Sequence, residues 1–107
     1  MGMLYINVHL FGRTGVRGEL LAYETKALDV FRRHGGEVVV AYAPIPAADG
    51  AETPDEIQVL RIADRKAFDA FMRDPARAAM AAERDAVLRK TEVFLSEAII
   101  PYGSGAR

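Results

Sequence analysis

The 107-residue chain sets 14 Lys and Arg against 15 Asp and Glu, has no cysteine and two histidines, and is half apolar. That is the size of one small domain. Near-neutral charge excludes the cationic footprint on which nucleic-acid binding rests, and the missing thiols exclude disulfides, thiolate nucleophiles and Cys-ligated zinc or iron–sulfur sites. Two histidines alone make a poor metal site. No stretch approaches the roughly 18 consecutive apolar residues of a membrane span, and no cationic flank leads into a signal-peptide core. The expectation is a soluble, cytoplasmic protein that binds neither nucleic acid nor membrane.

Leu4 to Phe11 (LYINVHLF) alternates strictly, so Leu4, Ile6, Val8 and Leu10 share one face of a strand and Tyr5, Asn7, His9 and Phe11 the other. Glycines at 12, 15 and 18 then break the strand. Their spacing matches neither the dinucleotide fingerprint nor a P-loop, so they read as turn residues; an anion contact by Arg13 or Arg17 is the lesser alternative. Glu19 to His34 places Leu20, Tyr23, Ala27, Val30 and Phe31 at helical spacings. Arg32, Arg33 and His34 suit the negative end of its dipole, and Gly35 or Gly36 can take the left-handed conformation that ends it.

Glu37 to Ala43 (EVVVAYA) reads as a second strand stopped by Pro44 and Pro46. The connection Pro44 to Asp55 holds three prolines and one glycine, and it either covers the mouth of a site or clasps another subunit. Glu56 to Ala63 is a third strand, and Asp64 is placed to cap a helix whose Phe68, Phe71 and Met72 form one stripe. At Asp74-Pro75 the pattern predicts a kink or restart, because the residue before proline avoids helical angles and Pro suits a first helical position. The helix should continue to about Arg89, followed by a fourth strand from Thr91 to Ile100 and a flexible PYGSGAR tail.

The order βαββαβ with right-handed crossovers predicts an α+β, ferredoxin-like sandwich. Strand three lies between one and two, strand one lies between three and four, and both helices cover one face. Eighteen of the apolar residues are alanine, yet enough bulky ones remain to leave the second face apolar as well. Such a patch marks an interaction site, and packing two copies face to face would remove it from water.

The helix ending RHGG, the strand after it, the Pro-rich loop and FDAFMRDPARAAM, with Thr91-Glu92-Val93 beyond, carry a resemblance. Over roughly Leu4 to Ile100 the chain resembles the dimeric α+β barrel superfamily. Within it, the chain is most similar to the domain-of-unknown-function family numbered 1330, with antibiotic-biosynthesis-monooxygenase-like and NIPSNAP-like relatives behind it. The resemblance implies a homodimer whose barrel interior, in various relatives, holds a small hydrophobic or aromatic compound. Those relatives include cofactor-independent oxygenases, isomerases, cyclases and haem degraders. They share no single catalytic motif, so no residue's role carries over.

The candidate site rests on Asn7 and His9, opposite the apolar face of the first strand. Arg61 and Glu97, on the strands flanking it, are expected beside them. In a partly apolar cavity His9 would serve as a general base tuned by Glu97, with Arg61 or Asn7 steadying negative charge. Alternatively Arg61 and Glu97 form a structural ion pair and His9 completes a polar network at a dimer interface. A one-residue slip of strands three and four would reverse their faces. Tyr5, Phe11 and Tyr42 are candidate ligand-binding residues, although buried tyrosine also serves as core. His34 reads as a cap. The functional expectation is a cofactor-free enzyme or binder for a small hydrophobic or aromatic metabolite. Its alternatives are a non-catalytic dimeric binding or accessory module and, more weakly, a haem-binding or haem-degrading protein.

Overall fold

A computed structural model describes residues 3–102. The elements run β1 (Leu4–Gly12), α1 (Arg17–Arg33), β2 (Glu37–Tyr42), β3 (Glu56–Ile62), α2 (Arg65–Met72), α3 (Pro75–Ala78), α4 (Ala81–Val87) and β4 (Leu88–Ser96). All strand pairs are antiparallel, in the order β2-β3-β1-β4. This is the expected ferredoxin-like α+β arrangement.

The alternation in β1 decides where the core lies. Leu4, Ile6, Val8 and Leu10 are buried with Leu60 and Ile62 of β3, against Leu20, Tyr23 and Phe31 of α1 and Val87 and Leu88 at the α4–β4 junction. Phe68 and Phe71 of α2 pack around this cluster. All the helices therefore cover one side, and the whole is a slab of 41 × 40 × 17 Å.

The helix ends follow their capping residues. Asp64 accepts the Ala67 backbone N–H at 2.8 Å, and Asp74 accepts that of Ala76 at 2.8 Å, with Pro75 opening α3. The second oxygen of Asp74 lies 2.8 Å from His34 Nε2, so the end of α1 is tied to the start of α3. His34, and then the Ala76 N–H, hold the Asp74 carboxyl below its usual range. Gly35 takes φ +83°, the left-handed turn that ends α1. Gly36 is required for a different reason, since a Cβ there would lie 2.3 Å from the Phe31 ring.

The structure departs from expectation at several boundaries. Helix α1 begins two residues before the expected Glu19, at Arg17. The helix predicted to run to Arg89 is divided into α2, α3 and α4 and stops at Val87. Strand β4 runs from Leu88 to Ser96 instead of Thr91 to Ile100. Leu88 pairs with Gly12, which draws the strand's start back into the core. Ser96 ends it by bonding through its side chain to both the N–H and the C=O of Ala98. Of the predicted tail, residues 103–107 lie outside the described residues.

Two polar side chains, Glu24 and Gln58, are buried under the helices. Glu24 of α1 is 7% exposed and accepts a 2.9 Å hydrogen bond from Gln58 Nε2, which also donates to Glu56 Oε2 at 2.9 Å. Burial pushes the Glu24 carboxyl up to about 7, against the Gln58 bond and with help from Glu56. The unfolded chain therefore releases this proton first, near pH 4.5, and stability falls as pH rises from there to about 7. The predicted loss over that window is on the order of 3 kcal/mol. Glu24→Gln should flatten it, measured as urea-unfolding free energy against pH. Gly36→Ala should cost about 1–3 kcal/mol by overpacking Phe31, read from the shift in urea midpoint.

Candidate functional site

The side of the sheet away from the helices is built in transverse rows, because directly paired residues share a face. One row reads Tyr42, Ile57, His9, Glu92 across β2, β3, β1 and β4. The next reads Val40, Val59, Asn7, Phe94, and a third reads Glu37, Arg61, Tyr5, Ser96. At the other end Phe11 pairs with Lys90. Irregularity at Val38–Val40 keeps Val40 and Tyr42 in phase with this face. Val40, Tyr42 and Phe94 are 46%, 48% and 58% exposed, so a single chain presents apolar surface here with His9 in its middle.

His9 Nδ1 lies 3.4 Å from Glu92 Oε1, and the His9 ring meets Phe94 edge-on at 5.6 Å. The other Glu92 oxygen is 3.7 Å from Lys90 Nζ. An imidazole in this setting can take up a proton beside a carboxylate already in place to balance the new charge. Asn7, one row away, stands in register between Val59 and Phe94.

The expected grouping of Arg61 and Glu97 with His9 does not form. Arg61 pairs with Tyr5, two rows from His9, which is roughly 14 Å along the strand. It bonds Glu37 of β2, and Glu37 and then Tyr5 raise its pKa further. Glu97 lies beyond the end of β4 and is exposed; the open-face positions of that strand are the even ones, so 97 is out of phase as well. Glu92 stands where Glu97 was expected. Tyr5 and Tyr42 do lie on the open face. Phe11 does too, but it is buried, its ring roofed by Lys90 Nζ at 4.3 Å and by Arg89 at 5.6 Å. The residues that sequence reasoning missed are Glu92, Phe94 and Lys90. Their signal was the alternation Lys90, Glu92, Phe94 in KTEVF, legible only once the start of β4 is known.

Gly12 N–H donates to Asp55 Oδ2 at 2.6 Å and Arg13 Nε donates to the Asp85 carbonyl at 2.8 Å, so the glycine-rich loop is held by internal contacts. Among the described residues there is no cluster of three or more potential metal ligands, and no helix is long and apolar enough to cross a membrane.

Residues 15–98 match the model of the family described as domain of unknown function (DUF1330). The chain belongs to that family. Solved structures of similar fold share little sequence with this DUF1330 member. A Rhodopseudomonas palustris protein of unknown function is 20% identical, with 94% of this chain and 85% of that one covered and a TM-score of 0.78. SnoaB, a cofactor-independent oxygenase from Streptomyces nogalater, is 16% identical over 94% and 96% of the two chains, with a TM-score of 0.70. A NIPSNAP-family protein of unknown function from Agrobacterium tumefaciens is 14% identical over 91% and 88%, with a TM-score of 0.66. At such identities the likeness is one of fold. No protein of curated function matches the sequence.

Proposed function

We propose that this protein binds a small apolar or aromatic molecule on the open face of its sheet, closed over by the same face of a second copy, and moves a proton on it without a cofactor. The observation that carries this reading is the His9–Glu92 pair set in the middle of an uncovered, otherwise largely apolar face. Exposed apolar surface of this kind calls for a partner, and a second sheet would convert an open surface into an enclosed one. Inside it His9 removes a proton from an acidic C–H or O–H of the ligand, Glu92 balances the imidazolium, and Asn7 donates a hydrogen bond to the oxygen that gains charge. The same proton returned to another atom gives an isomerisation; an enolate left to react with dioxygen gives an oxygenation without a cofactor, the class of reaction to which the oxygenase SnoaB belongs. Tyr42 and Phe94 flank the reacting position. Arg61 stays with Glu37 at the far end, and Glu97 has no part.

A second reading is a binding module without chemistry. It is favoured by the 3.4 Å His9–Glu92 separation, long for a hydrogen bond, and by the Lys90 ammonium that shares Glu92. Haem binding gains nothing from a second histidine, because His34 is engaged by Asp74 at the end of α1.

The test uses 2-tetralone, an aromatic ketone with acidic C–H bonds, in deuterium oxide. Proton NMR should show exchange of its α-protons catalysed by the wild-type protein, slowed about 100-fold or more in His9→Ala. Tetralone binding retained by both proteins with no catalysed exchange by either would establish the non-catalytic module instead. Sedimentation equilibrium should give a dimer at micromolar concentration, and Phe94→Asp should shift it to monomer; a folded wild-type monomer would overturn the enclosed site.

A further inference from the structure

Where β1 meets β4 the pairing slips. Phe11 pairs with Lys90 and Gly12 with Leu88, which leaves Arg89 as an extra residue on β4. In a regular strand Arg89 and Lys90 would point to opposite faces. The bulge instead brings both cations over one ring, Lys90 Nζ 4.3 Å and the Arg89 guanidinium 5.6 Å from the centre of Phe11. One carboxylate bridges them: Glu52, from the Pro-rich connection between β2 and β3, places one oxygen 2.7 Å from Lys90 Nζ and the other against Arg89 Nη2. Lys90 and then Arg89 hold that carboxyl below its usual range. All three side chains are 40–49% exposed, so water and other anions compete for the contact and it holds the loop weakly.

We propose that Arg89 and Lys90, forked over Phe11, are the carboxylate-binding end of the open-face site, that its ligand is an aromatic acid, and that Glu52 fills the ligand carboxylate's place until displaced. This rests on the reading of that face as a site for an aromatic molecule. The spacing suits such a ligand. Phe11 and His9 are two residues apart on one face, about 7 Å, so a ring beside His9 and Phe94 carries a carboxylate attached to it to within reach of the fork. The exchange also has a direction. Glu52 brings to the fork only its charge, on an exposed loop, whereas an aromatic acid brings the same charge with a ring that covers exposed Phe94 beside His9. Glu92, the other acid beside Lys90, is turned toward His9 as well, and with Glu52 displaced the fork holds an excess of positive charge that the entering carboxylate neutralises.

The test compares 2-naphthoate with its neutral counterpart 2-naphthamide by equilibrium dialysis at low salt. Wild-type protein should bind the acid about tenfold more tightly than the amide. Glu52→Gln should tighten binding of the acid about threefold and leave the amide unchanged, because it removes the internal competitor. The double change Arg89→Met with Lys90→Met should erase the preference while amide binding persists, which also reports that the variant is folded. Amide binding with no preference for the acid in wild type and Glu52→Gln alike would overturn the fork and leave the reading of the face standing. Failure of both compounds to bind would overturn both. Weaker acid binding by Glu52→Gln would show that Glu52 supports the site instead of occupying it, and would overturn the displacement.

Discussion

Everything on this molecule is organised by the two-residue period of one central strand. Because β1 is paired on both edges, its backbone cannot rotate to relieve a misplaced side chain, and its faces are fixed by alternation alone. Leu4, Ile6, Val8 and Leu10 draw the helices to one side. The same geometry commits Tyr5, Asn7, His9 and Phe11 to the other, and neighbouring strands must match in phase, which is how Glu92, Phe94 and Ile57 come to stand around His9. The core and the candidate site are two readings of one eight-residue segment.

A slab 17 Å thick has room for one helix layer and one sheet, and no more. In a chain this short the fraction of surface that folding can bury is limited, and here the limit takes a definite form: one face is finished and one is left apolar. The uncovered face carries the few polar groups with chemical potential, in surroundings that would become dry if covered. Covering it would strengthen the His9–Glu92 interaction, since Coulomb attraction grows as water is excluded. Stability and chemistry would then depend on the same event.

The fold was legible in the sequence because it rests on signals that act locally: alternation in β1, caps at Asp64 and Asp74, and turns at Gly35 and the prolines. The site was legible only on the strand with the unambiguous pattern. Asn7, His9, Tyr5 and Tyr42 were placed on the open face correctly, but their cross-strand partners depended on where β4 begins and ends. LRKTE has the composition of a helix end, so the switch from helix to strand at Leu88 is set by tertiary burial of that leucine, not by local preference. That displacement exchanged Glu97 for Glu92. The bulge at Arg89 was equally hidden, because an extra residue in one strand is defined only against its partner.

The buried carboxyl of Glu24 has a consequence for alignment. Apolar contacts between a helix and a sheet are forgiving, and a stripe of leucines and aromatics packs nearly as well after a small slide along the axis. Glu24 is not forgiving, since it finds Gln58 at one position only. A slide of α1 by one residue would separate them, leaving the buried Glu24 carboxyl without its Gln58 partner and Gln58 with only its bond to Glu56. The helix is thereby held in a single register on the sheet. Through Gly35, Gly36 and the short path into β2, that register also sets where the edge strand carrying Val40 and Tyr42 enters the sheet.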